Sequence, residues 1–382
     1  MGDLLKFQLA IRERGNNLIR AYEESNEILT GSNGPYDDEE FRVRNLCHLI
    51  IITSIEILRY EKKEYLNLLE KMGKELLGLR MANGFFALRN TEKKDTCNGV
   101  IGHSWVLEGL LYLYKVLRYE EILNICFEIA ESHEFNEKHG LWYVPFHDGN
   151  EKQIDDTFNH QLWYAASLAE LLEVKEKENL RRQLDTFMNK VNRNMSLSLN
   201  GKISHSIFHR EDMKGKLKQK IKRGLDACNQ ILDRSSYAYK EQGYHMFNLM
   251  AFARLYKFYK EDPFFASLKF RKVLKYVNTK QFKEGLLNPN FSKDISLNNP
   301  NISEKEQEIN IYGFPYNVPG FELLYVSLCF RGKINQNVVE WCLKKQFELT
   351  YDVSKKRFGV RCHDKNTINY RIYEFYRYLE LI

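Results

Sequence analysis

The chain has 382 residues, 43% of them hydrophobic, enough to build one large core or two ordinary ones. Its 57 basic and 51 acidic side chains leave a net charge of +6, a mild excess that suits a neutral or anionic ligand and does not call for nucleic acid. No window reaches the ~20 apolar residues of a membrane span. The start, Met1-Gly2-Asp3-Leu4-Leu5-Lys6, has neither a signal-peptide pattern nor the Ser or Thr expected at position 6 of a myristoylation signal, so a cytoplasmic protein is expected.

Read in chain order, apolar periodicity predicts helices near 3–30, 38–60, 62–79, 99–117, 119–133, 157–173, 175–194, 238–260, 263–278, 317–331, 334–349 and 366–380. These make twelve helices, or six pairs. The stretches 45–59, 100–117, 160–173, 244–258 and 321–330 are apolar around most of the helix, as a helix buried on all sides must be. Their partners, such as Glu61 to Leu79 and Lys175 to Met195, are amphipathic. An inner ring of buried helices inside an outer ring of amphipathic ones is the pattern of an all-α (α/α)6 toroid of six hairpins. No interdomain linker is visible, so 1–382 reads as one domain.

Five glycine-led segments, at Gly84, Gly140, Gly201, Gly285 and Gly359, each follow an outer helix and precede an inner one. Longer linkers cover 205–236, with a lysine-rich run from Lys214 to Arg223, and 286–315. The phrase Asp95-Thr96-Cys97-Asn98 recurs as Asp156-Thr157-Phe158-Asn159, and each copy opens an apolar run. Repetition at this scale belongs to arrays and toroids. The seven cysteines are odd in number and lie mostly in apolar helical runs, so they read as reduced core residues.

A toroid collects the loops before its inner helices at one rim. The polar residues gathered there are Asp95, Asn98, His103, His147, Asp155, Asp156, Asn159, His160, His205, His209, Tyr244, His245, Asn317, Glu322 and His363, with Trp142 beside them. This density suits a carbohydrate, which needs many hydrogen bonds and an aromatic face. Asp95 and Asp156 are ordinary N-cap candidates. Asp155 is a second carboxylate that a cap does not require, and a like-charged neighbour raises one pKa, as a general acid needs. His103 is about equally a core histidine and a ligand contact.

Ile154-Asp155-Asp156-Thr157-Phe158-Asn159-His160-Gln161-Leu162-Trp163-Tyr164-Ala165 resembles a segment of the unsaturated glucuronyl hydrolases, six-hairpin (α/α)6 glycosidases. Gln242-Gly243-Tyr244 and the helix after it are similar to a later helix of that family. The resemblance implies that Asp155 is the acid/base, Asp95 the second essential carboxylate, and His205 or His209 a contact on the uronate side. The expected function is a glycoside hydrolase working by paired carboxylates. Alternatives are a sugar epimerase or isomerase using His160 and His245, a polysaccharide lyase, or a non-catalytic glycan-binding or scaffold protein. A zinc toroid like the lanthionine cyclases, suggested by Cys362-His363, lacks its second cysteine near 313–320. The expectation is therefore a carbohydrate substrate without metal or other cofactor, with a homo-oligomer left open.

Overall fold

The computed structural model describes residues 2–32, 38–90, 94–145, 152–207, 238–287, 310–360, 362 and 364–382. Six buried helices form the inner ring: α2 (Val43–Tyr60), α4 (Gly99–Leu117), α6 (Phe158–Val174), α8 (Ala238–Tyr256), α12 (Pro319–Cys329) and α15 (Tyr373–Leu379). Each packs on the next, and α15 packs back on α2, so the ring closes. In α4 every residue from Gly99 to Tyr114 is buried, so no polar stripe is left to face water.

The outer layer is α1 (Gly2–Ser25), α3 (Leu66–Gly78), α5 (Glu120–Ser132), α7 (Glu178–Asn194), a broken run of α9 (Pro263–Ala266), α10 (Leu268–Val277) and α11 (Lys280–Leu286), then α13 (Gln336–Thr350). These are one-sided. Helix α7 buries Leu180, Leu184, Phe187, Met188 and Val191, the spacing of a single helical face. The structure breaks the expected 263–278 helix because Ser267 is extended and its hydroxyl accepts from Phe270 N, starting α10 afresh. The expected helix over 366–380 likewise divides into α14 (Thr367–Tyr370) and α15.

Four of the five glycine-led segments are tight hairpins between an outer and an inner helix. Strands β3 (Phe135–Asn136) and β4 (Leu141–Trp142) pair around Gly140, and β5 (Tyr351–Asp352) and β6 (Arg357–Phe358) pair just before Gly359. Single bridges Arg80–Phe86 and Leu197–Ile203 close the turns at Gly84 and Gly201. All four glycines have positive φ, for example +101° at Gly201, a region that side chains disfavour. The fifth segment departs from this pattern, because Gly285 lies inside α11. The remaining strands, β1 (Glu39–Glu40) and β2 (Arg89–Asn90), join the loops that lead into α2 and α4.

A polar side chain in the inner helix that follows, or for the last hairpin in the short α14 before it, clamps each hairpin. His103 Nε2 accepts from Phe86 N at 3.1 Å, and His245 Nδ1 accepts from Ile203 N at 3.3 Å. Asn369 bonds both backbone groups of Phe358. Gln161 accepts from Trp142 N and donates to the carbonyls of Trp142 and Asp155. Cys47, Cys97, Cys126, Cys329 and Cys342 form no disulfide. No described helix is long and apolar enough to cross a membrane.

Replacing Gln161 by Ala would orphan two buried backbone groups, Trp142 N and the Asp155 carbonyl, because the Trp142 carbonyl still accepts from Asp155 N. Since each orphan costs about 1–3 kcal/mol, Gln161→Ala is expected to lower unfolding stability by ~2–4 kcal/mol in a urea titration, with helical content unchanged before the transition.

Candidate functional site

The N-terminal ends of the inner helices converge on a narrow cavity of about 30 Å³, well below the ~300–1,000 Å³ of ordinary ligand pockets. It is lined by Arg44 of α2, Asn98, Ile101 and Trp105 at and in α4, Asn159 and His160 of α6, Tyr244 and Phe247 of α8, Tyr316 and Asn317 before α12, and Arg371 before α15. All six inner helices, or the segments that lead into them, therefore contribute. Their dipoles add partial positive charge where their N-termini meet.

Asp155 organises one wall. It is 4% exposed. Its Oδ1 accepts from Thr157 N at 3.1 Å, and its Oδ2 accepts from Val100 N at 3.0 Å and lies 2.9 Å from His160 Nδ1. One carboxylate thus ties the start of α6 to the start of α4. The fit requires glycine at 99, where φ is +61° and a Cβ would stand 2.1 Å from Asp155 Oδ2. Burial by itself would raise the Asp155 pKa. The charge and hydrogen bond of His160 and the two backbone N–H groups outweigh burial and hold the carboxyl below its ordinary range. Asp155 therefore stays ionised and accepts from His160 Nδ1–H, which leaves Nε2 as the basic lone pair.

Two guanidiniums stand elsewhere around the cavity. Arg44 donates to Glu40 at 2.7 Å and lies over the Trp105 ring at 4.1 Å. Arg371 donates to Asn317 Oδ1 at 2.7 Å and, through Nη2, to both Glu322 and Glu374 at 2.8 Å. Burial pushes Glu322 upward, and it pushes Glu374 up to about 7. Between α8 and α12, the Tyr244 and Tyr316 hydroxyls are 3.4 Å apart. Lys240 stands 5.9 Å from the Tyr244 ring, and burial lowers it to about 8.

The structure brings Asn98, Asn159, His160, Tyr244 and Asn317 onto the cavity and separates several other candidates from it. His103 and His245 are fully buried hairpin clamps between the rings, so the expected ligand contacts there are corrected. Trp142 is also fully buried and donates to Gln183. Glu322 lies behind Arg371. Asp95 acts as a cap: its Oδ1 accepts from Gly99 N at 2.7 Å and its Oδ2 from Arg89 at 2.7 Å. Asp156 is exposed, and the backbone contacts expected of it belong to Asp155. His205 packs against Tyr244 at 5.8 Å, with its pKa driven well down by burial, Lys240 and His160. His147, His209, His363 and the run Lys214–Arg223 lie outside the described residues. Cys362 Sγ donates to the carbonyls of Pro315 and Val360. Among the described residues no three His, Cys, Asp or Glu side chains form a metal-holding group.

Arg44, Trp105, Phe247, Tyr316 and Arg371 were not singled out from sequence. The available signal was charge in a buried run: Glu40 and Arg44 at i,i+4, and Arg371 and Glu374 at i,i+3.

No family model matches the chain. It is 26% identical over 361 residues to archaeal glycosylation protein Q of Haloferax volcanii, covering 90% of each chain. Its fold is the (α/α)6 barrel of the cellobiose 2-epimerases. The enzyme of Bacillus thermoamylovorans B4167 superposes with a TM-score of 0.57 at 12% identity, covering 95% of this chain and 99% of that one. That of Spirochaeta thermophila DSM 6192 gives 0.55 at 12%, covering 89% and 86%. None of the three is named as an unsaturated glucuronyl hydrolase, so that resemblance is not shown.

The Glu374 carboxyl is expected to leave a signature in stability. Its folded pKa lies above the ordinary 4.5, so between pH 4.5 and about 7 the unfolded chain releases a proton that the folded chain keeps. Stability therefore falls as pH rises through that window. Thermal melts at pH 5 and pH 8 should show a larger drop for the wild type than for Glu374→Gln.

Proposed function

We propose that the protein is a carbohydrate-processing enzyme that moves a proton at the carbon beside a sugar carbonyl, an epimerase or isomerase, with His160 as the base. The observation that carries this reading is the Asp155–His160 hydrogen bond at a cavity that presents two guanidiniums and no described carboxylate. Asp155 fixes the tautomer and steadies the imidazolium that forms when Nε2 takes the proton. The enediolate left behind is negative, and the Arg44 and Arg371 guanidiniums supply preorganised donors for it. Trp105, Phe247 and Tyr316 offer ring faces to a pyranose or its open chain. The two epimerase folds support proton transfer, and the glycosylation relative favours a sugar that belongs to a glycan.

The paired-carboxylate hydrolase gains less support from this geometry. That chemistry needs one carboxyl to give a proton and another to act beside it. Asp155 is held ionised under three hydrogen bonds, and Asp95 is bound to Arg89 and Gly99.

The test is proton NMR in D2O with glucose, mannose, N-acetylglucosamine, glucuronate and cellobiose. Loss of the H2 signal of one sugar, with conversion, is expected. Removing a positioned base costs ~10²–10⁴-fold, so His160→Asn should lose that much in kcat. Asp155→Asn should also fall sharply, as the tautomer is no longer fixed. Silence on every sugar, with hydrolysis of an aryl glycoside or unsaturated uronide, would replace this reading with the hydrolase.

A further inference from the structure

The other end of the barrel carries a wider groove of about 620 Å³, within the ~300–1,000 Å³ of ordinary ligand pockets. It lies where α8 and α12 end, against α9 and α10. Tyr244 lines the mouth and Tyr256 lines this groove, both on α8. At 1.5 Å per residue the helix sets them ~18 Å apart, so the groove belongs to the face opposite the mouth.

Its floor is a cluster of rings. Phe330 packs on Tyr256 at 4.9 Å and on Phe270 at 5.3 Å, and Phe265 lies 5.1 Å from both Tyr256 and Phe270. Leu274 and Leu328 extend the apolar wall. Beside it, at the start of α10, Leu268 is 79% exposed. The polar lining is cationic: Arg271, Arg331 and Lys333, with no carboxylate, amide or Ser or Thr hydroxyl among the described lining residues. These three side chains are exposed and form no ion pair or side-chain hydrogen bond among the described residues. The surrounding run 257–287 carries eight basic and three acidic side chains, in a chain whose whole net charge is +6. Two of those acids are already engaged, since Asp262 accepts from Phe264 N at 2.8 Å and Glu284 pairs with Lys280 at 3.0 Å.

We propose that this face docks on an anionic bilayer, with lipid chains against the aromatic floor and lipid phosphates at Arg271, Arg331 and Lys333. A hydrocarbon chain needs no hydrogen bonds, which matches a wall that offers none beyond its cations. A peptide or a nucleic acid would bring amides or bases whose polar groups need partners there. Phosphates at the head of the chain meet the cations at the rim, as basic groups near a charged leaflet do. A projecting Leu268 flanked by basic residues suits shallow insertion at the interface, a mode of attachment that requires no spanning helix. The mouth, on the opposite face, then opens toward the aqueous side. The docking is independent of the chemistry at that mouth.

The test is sedimentation of the full chain with vesicles of phosphatidylcholine alone and of phosphatidylcholine mixed with phosphatidylglycerol, at low and high ionic strength. Binding is expected to the anionic vesicles only, and it should weaken as salt is raised. A basic residue near the surface contributes about 1 kcal/mol, or ~5-fold in partitioning. Arg271→Gln, Arg331→Gln and Lys333→Gln should therefore each lose ~5-fold, and the triple variant on the order of 10²-fold. Leu268→Gln should also bind more weakly. Lys138→Gln, in the exposed turn between β3 and β4, should bind as the wild type does. Every substituted side chain is exposed, so unchanged thermal melts are expected and separate lost binding from lost folding. Equal binding to both vesicle types, binding to neither, or full retention of the triple variant would overturn the proposal. Displacement from the vesicles by single-stranded DNA or polyglutamate, with binding that needs the three cations and ignores Leu268→Gln, would replace the lipid with a polyanion.

Discussion

Four buried charges hold the barrel together along its axis. Glu108 of α4 and Glu170 of α6 meet Arg254 of α8 and Arg377 of α15. Arg254 is bidentate to Glu170, with both contacts at 2.9 Å, and also bonds Ser167. A single ion buried without a partner costs several kcal/mol. Two acids and two guanidiniums that share their bonds cancel that charge and link four of the six inner helices, including two that do not touch as ring neighbours. Glu170 lies ten residues beyond His160, and Arg377 lies six beyond Arg371. At 1.5 Å per residue the cluster sits ~9–15 Å below the cavity wall.

Much of this architecture was legible because the ring writes itself into composition. A helix surrounded by other helices must be apolar on every side, and an outer helix need be apolar on only one. The hairpin glycines were legible for the same local reason, since a positive φ leaves few other residues. The repeated phrase places its two asparagines alike: Asn98 and Asn159 line the cavity from successive inner helices.

The same uniformity hid the rest. In a helix with no polar face, the sequence gives depth but not direction. His103 and His160 are both polar groups near the mouth, yet one faces a hairpin and the other faces the lumen. The two aspartates at 155 and 156 posed the same problem. Sequence assigned the cap to Asp156 and the chemistry to Asp155, whereas the backbone contacts are those of Asp155, with His160 held at the end of them. Arg371 escaped notice because its partners are a contiguous-helix glutamate and a residue 49 positions away, Glu322.

The pairing of the guanidiniums constrains what the cavity can bind. A free arginine would attract a permanent anion from solution and hold it. Arg44 is already paired with Glu40, and Arg371 with two carboxyls, whose raised pKa values reflect how poorly that corner tolerates further negative charge. Arg44's charge is largely spent on Glu40, whereas Arg371, with both Nη groups bonded to Tyr316 O, Asn317, Glu322 and Glu374, is held in direction by partners whose carboxyls burial keeps partly protonated. Such donors gain little from a ground-state sugar and more from an oxygen on which charge develops during reaction. A carboxylate-anchored imidazole and guanidiniums held by internal partners at one cavity are the combination on which the proton-transfer proposal rests.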